Sequence, residues 1–205
     1  MLLHRLGRCN SGSTAAEFAL TLPLLLIFIL GIIDAGRLAW EYNRTEKATQ
    51  VGARVAVVTN SFPSGLVSEN YVSKTVGGVT LTQGDRIPAA ALGDLKCTRT
   101  ACTCVTAPCP TTIGTLDTTT FDNVLLPRMR YMNPRIAAAN VELHYTGSGL
   151  GYAGDPNGMQ IAPIVTVQVT GMTFTPITTF LFATMTLPNI STSLTAEDAS
   201  GTQSN

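Results

Sequence analysis

Charge is what this sequence has least of. Asp, Glu, Lys and Arg make up only 13% of its 205 residues, against about 25% in an ordinary soluble domain. The 13 basic residues balance 13 acidic ones, so no basic excess is available to grip phosphate, and this argues against nucleic acid as a partner. Histidine is scarcer still, with His4 and His144 alone. No Ser or Cys can be assigned to either as a nucleophile and no catalytic motif is recognisable, so no enzyme activity and no cofactor are expected.

Apolar residues are abundant, at 45% of the chain, and they concentrate near the N-terminus. Phe18 to Ile33 (FALTLPLLLIFILGII) is free of charge for 16 residues. Counted from Ser13, the 21 residues to Ile33 span roughly 31 Å as a helix, close to the hydrocarbon thickness of a bilayer. Twelve Leu, Ile and Phe residues in this stretch contribute about −0.3 to −0.6 kcal/mol each to insertion, which outweighs about +3 kcal/mol for the one charge, Glu17. Pro23 removes a single helical hydrogen bond and predicts a kink. Arg5 and Arg8, with His4, precede the segment, so the N-terminus is expected on the cytoplasmic side and the remainder outside, where disulfides persist.

A secretory signal peptide has a shorter apolar stretch that ends at a small-residue cleavage site. Here Asp34-Ala-Gly-Arg37 follows and a helical pattern continues. The informative arrangement lies before the apolar run, where Gly12 stands five residues ahead of Glu17, which is next to Phe18. It resembles the prepilin processing site. Together with Leu22-Pro23, Gly36-Arg37 and Gly52-Ala53-Arg54, the stretch from Gly12 onward resembles the TadE-like family of pseudopilins of the tight-adherence (Flp) pilus machinery. Asn140-Val141, Gly149-Leu150-Gly151 and Leu194 to Gly201 resemble such chains more loosely. Many relatives carry Tyr where this chain has Phe18.

The resemblance implies cleavage after Gly12 by a membrane-embedded prepilin peptidase, with Ser13 as the new N-terminus, and a role for Glu17 in assembly. It implies as partners that peptidase, a sister pseudopilin, the major Flp pilin and the inner-membrane assembly platform. The expected divisions are a leader over 1–12, a membrane helix over 13–33, its extracytoplasmic continuation over 34–59 and a pilin-like periplasmic head over 60–205. The competing reading is a signal-anchored periplasmic binding or adhesive module that never enters a pilus.

Beyond the membrane, Leu38, Tyr42, Thr45, Ala48, Gly52, Val55 and Thr59 recur at helical steps, with Arg37, Glu41, Arg44 and Lys47 on an adjoining stripe. One helix is therefore expected from about Thr14 to Val58, ending at Asn60-Ser-Phe-Pro63-Ser-Gly65. The rest is rich in Thr, Gly and Pro and predicts strands. Short helices are expected at Glu69–Val76 and at Phe121–Met132. Val141–Tyr145 and Ile161–Thr175 are expected to centre an antiparallel sheet, with a turn at Gly154-Asp-Pro-Asn-Gly158 between them and a frayed tail after Ala196. The fold class is α+β.

Asp155 and Asn157 suggest part of a calcium loop but lack its later acidic ligand, so a turn is preferred. Strand alternation places His144 beside Glu142 on the face away from Val141, Leu143 and Tyr145, as a solvated or edge residue. Cys9 falls in the leader. Cys97, Cys102, Cys104 and Cys109 crowd a loop in which Val105 is the one large aliphatic residue, and two disulfides are expected rather than a zinc site. Three connectivities are open, with Cys102 to Cys104 the most strained.

Overall fold

The computed structural model describes residues 11–179 and 183–196. His4, Arg5, Arg8, Cys9 and the tail after Ala196 lie outside the described residues. The chain is α+β, opening with one long helix, α1 (Ser11–Val58), that continues through Pro23. At its end the Thr59 backbone N–H and hydroxyl both donate to the Val55 carbonyl, at 3.1 and 2.9 Å. Pro63 follows within one turn and cannot supply the N–H that a further helical turn requires.

Two compact units emerge, one of Met1–Glu41 with Thr173–Met185, the other of Tyr42–Met172 with Thr186–Asn205. The second is built on a five-stranded antiparallel sheet. Its strands are β3 (Asp94–Cys97), β4 (Cys102–Thr106), β5 (Val141–Thr146), β6 (Ile164–Val169) and β9 (Ile190–Thr195), in the order β4-β3-β5-β6-β9. Two-residue strands form small hairpins elsewhere, β1 (Thr75–Val76) with β2 (Val79–Thr80), and β7 (Thr173–Phe174) with β8 (Met185–Thr186).

Alternation decides which face of the sheet is buried. Val141, Leu143 and Tyr145 of β5 and Val165, Val167 and Val169 of β6 all point inward, and Leu143 lies opposite Val167. Each such side chain contributes roughly 1.5–3 kcal/mol through burial. Deep burial also pushes the Tyr145 phenol up to about 12. Its oxygen accepts the Phe62 N–H at 3.1 Å, which ties the chain just past α1 to the central strand.

The second half of α1 covers this face with small residues. Thr45, Ala48, Thr49, Gly52, Ala53 and Ala56 are buried, and Thr49 meets Thr192 of β9 hydroxyl to hydroxyl at 2.9 Å. Thr45 accepts from the Asn133 amide at 2.9 Å, just past a short helix, α3 (Leu126–Met132). The predicted stripe holds at Thr45, Ala48, Gly52, Val55 and Thr59, all buried, and fails at Tyr42. Tyr42 is exposed, because a helix that comes close to a sheet admits small side chains on that face better than a ring.

Several local expectations are corrected. The helix predicted at Glu69–Val76 falls earlier, at α2 (Ser64–Ser68) after Pro63. Glu69 is instead buried, and its carboxylate accepts from the Thr111 N–H at 3.0 Å and hydroxyl at 2.9 Å while pairing with Lys74. Ile161–Thr175 does not form one strand, since β6 stops at Val169 and Gly171 turns the chain with a φ of 67°. Phe121–Met132 is helical, with a π-helical turn at Phe121–Leu125 preceding α3.

A Cβ on Gly52 would stand 2.9 Å from Met129 Sδ and 3.1 Å from Val167 Cγ1, both buried. Gly52→Leu should therefore cost about 1–3 kcal/mol by overpacking and lower the unfolding midpoint of the detergent-solubilised chain. Arg54→Leu, at an exposed position on the same helix, should leave that midpoint unchanged.

Candidate functional site

The first turns of α1 carry the residues singled out by sequence. Gly12 and Ser13 lie within the helix, which begins at Ser11. Glu17 is exposed, as is Phe18 at 64%. The Thr21 hydroxyl donates back to the Glu17 and Phe18 carbonyls at 3.1 and 3.2 Å, so a polar side chain in an apolar stretch is satisfied within its own helix.

From Ala15 to Ile29 every residue is exposed. Phe18, Leu20 and Leu26 show 64%, 75% and 49% of their surface, and their spacing puts them on different sides of the axis. A helix apolar on all sides requires lipid or partner helices around it. Among the described residues this is the one helix long and apolar enough to cross a membrane, and it fits a single-pass membrane anchor.

The apolar run ends at a carboxylate that sequence reasoning missed. Asp34 is buried and accepts from the Ile177 N–H at 2.8 Å, the Thr178 N–H at 3.0 Å, the Thr178 hydroxyl at 2.8 Å and Arg37 Nη1 at 2.8 Å. Burial pushes this carboxyl up, but the four donors outweigh it and hold it down at about 2, against an ordinary 3.8. The Arg37 guanidinium also lies 5.3 Å from the centre of the Phe174 ring. Arg37 thus pairs with Asp34 rather than with Glu41, as the helical spacing had suggested. An acidic residue directly after sixteen uncharged ones was a signal in itself, but its partners are 143 and 144 residues away in sequence.

The remaining candidates resolve into structure. Cys97 joins Cys102 and Cys104 joins Cys109, so the first bridge closes the β3–β4 hairpin and the second ties β4 to the segment after it. Val105 between them is 56% exposed, and the covalent links stand in for a core there. In the Gly154–Gly158 turn the Asp155 carboxylate accepts the Asn157 N–H at 2.9 Å.

His144 is half-buried on central β5 rather than at an edge. Its Nδ1 lies 2.9 Å from Asp94 and its Nε2 3.7 Å from Glu142, which Lys96 approaches at 3.6 Å. These are cross-strand and same-strand polar contacts on the sheet's polar face. No group of three or more metal-ligating side chains occurs among the described residues.

A depressed carboxyl stabilises its surroundings above its unfolded value and loses that effect as pH falls through the folded one. Exchange protection of the Ile177 and Thr178 amides should therefore hold from pH 7 to 5 and fall only as the pH drops from about 4 to about 2. Asp34→Asn should remove it at neutral pH, and hydrogen exchange read by mass spectrometry decides. Protection lost between pH 7 and 5, or kept in Asp34→Asn, would contradict this account.

The comparisons with known proteins agree with the N-terminal reading. No curated protein and no solved structure matches the chain. A family model described as TadE-like protein matches residues 12–54, which takes in Gly12, Glu17-Phe18, the apolar run and the small-residue stripe as far as Arg54. Over that segment the chain is similar to TadE-like proteins.

Proposed function

We propose that this protein is a minor pseudopilin of a Tad (Flp) pilus, cut by a prepilin peptidase between Gly12 and Ser13 and acting structurally in pilus assembly or adhesion. The observation that carries this reading is where the family match begins. It starts at Gly12, the residue after which the cut is placed, and runs through Glu17-Phe18 into the apolar helix. A plain signal anchor would give no reason for that starting point.

The basic residues before the span favour a cytoplasmic N-terminus in the inner membrane. Two disulfides favour an oxidising compartment for the part after it, in keeping with the periplasm. The partners in this reading are the peptidase, a sister pseudopilin, the major pilin and the inner-membrane platform. Cleavage creates an α-amino group at Ser13, four residues and about 6 Å along the helix from Glu17. Positions 13 and 17 lie one above the other on the same face of the helix, so both charges are on the side from which one neighbour can approach. A neighbouring subunit shifted axially by that distance brings its amine level with the carboxylate, and the two charges neutralise each other where the dielectric is low.

The first test is processing. Gly12→Leu should leave the precursor uncut, because the peptidase must approach the backbone at a residue with no side chain, and N-terminal sequencing or intact mass reports it. Retention of Met1 in the unaltered protein, in cells with active peptidase, favours the signal-anchored module instead.

The second test separates insertion from assembly. Glu17→Ala should still insert and still be cut, since losing the charge lowers the cost of entering lipid by about 3 kcal/mol, yet it should fail to crosslink to partner pilins. Glu17→Gln, nearly equal in volume, should fail similarly. Normal crosslinking and piliation in both variants would sink the charge-pairing mechanism.

A further inference from the structure

The smaller unit holds a feature that a single anchoring helix does not account for. No Asp, Glu, Lys, Arg or His occurs between Asp155 and Glu197. Within that stretch Thr173–Met185 carries Ile177 and Met185 at 50% and 44% exposure. Between Thr179 and Ala183 the sequence reads Phe180-Leu181-Phe182. Connections that face water favour Gly, Pro, Asn, Asp and Ser, and this one has an apolar centre.

Asp34 fixes the level of this segment along α1. Side chains on a helix tilt toward its N-terminus, so the Asp34 carboxylate lies level with the preceding turn, Leu30 to Ile33, the last of the apolar run. The Ile177 and Thr178 N–H groups donate to that carboxylate, so the backbone at 177–178 sits at the lipid edge of the span. Leu30 and Gly31 are the first residues counted from Ala15 that are half-buried rather than exposed. Backbone amides at such depth cannot rely on water, and Asp34 supplies acceptors for two of them and for the Thr178 hydroxyl. Arg37 and Trp40 follow on the next turns of α1, with Trp40 at 62% exposure. Both are residue types found at the headgroup layer.

We propose that segments 173–179 and 183–185 form a second membrane contact, one that lays Ile177 and Met185 into the interfacial layer of the bilayer that α1 crosses, on the side where α1 leaves it. The proposal rests on the reading of α1 as a membrane span. Its partner is lipid, and an uncharged, Thr-rich segment with apolar side chains matches the mixed polarity of that layer. With Asp34 as the rivet, this contact sets how deep α1 sits and which of its faces is turned toward the headgroups.

The test uses the full chain in vesicles of phosphatidylethanolamine and phosphatidylglycerol, in a Cys9→Ser background. An environment-sensitive fluorophore is attached through Ile177→Cys, Met185→Cys, Leu24→Cys or Val79→Cys, one at a time. Quenching by headgroup-level lipid nitroxides should be about twofold or more stronger at 177 and 185 than at 79, and quenching by aqueous iodide correspondingly weaker. Leu24→Cys should respond to nitroxides deep in the acyl chains. Behaviour at 177 and 185 equal to that at 79, with Leu24→Cys still quenched from lipid, overturns the proposal and leaves the anchor intact. Shielding from both iodide and lipid means that protein covers these segments, and this also overturns it. Loss of lipid quenching at Leu24→Cys removes the anchor and the second contact together.

Discussion

The sheet of the larger unit has one apolar face, and that face has to be covered by a helix that comes close. α1 meets this requirement through its second half, where Ala48, Gly52, Ala53 and Ala56 replace the Leu, Ile and Phe of the first. The change in residue size along one uninterrupted helix follows the change in surroundings. Where lipid surrounds the helix, bulk is favourable on every side. Where a sheet lies against one side, the approach distance limits side-chain size. The positions of β5 and β6, the burial of Tyr145 and the seat of Met129 depend on that approach.

Much of the fold was legible in the sequence because its signals are local. The helix and its end follow from an unbroken pattern that meets Pro63, and β5 follows from strict alternation in Val141–Tyr145. What failed needed distant partners. Glu69 reads as a helix residue until Thr111 and Lys74 are placed around it. Ile161–Thr175 reads as one long strand, yet the left-handed turn at Gly171 detaches β7 from β6. The inner stripe of α1 was misplaced at Tyr42 because hydrophobicity was weighed there and size was not.

The site divides the same way. Gly12, Glu17 and Phe18 carry meaning through their spacing against the apolar run, and spacing is visible in sequence. Cysteine pairing is not, since four residues so close together leave the choice to strand geometry, and only the β3–β4 hairpin brings Cys97 to Cys102. Asp34 stood in plain view, but its worth as an acceptor depends on two amides supplied by Ile177 and Thr178. His144 gains its carboxylate neighbour only when β3 is laid beside β5.

The Asp34 contact also has a mechanical meaning. Thr173–Met185 is joined at one end, through Met172, to the strand β6 and at the other, through Leu187, to β9, two strands paired along their whole length from Ile164 with Thr195 to Val169 with Ile190. A pull along the apolar half of α1 can therefore travel onward by two routes. One runs down the helix backbone past Glu41. The other crosses from Asp34 to the Ile177 and Thr178 amides and reaches β6 and β9 through the chain on either side of the segment. Losing the Asp34 contact would take the second route away, and the pull would then pass down the helix backbone.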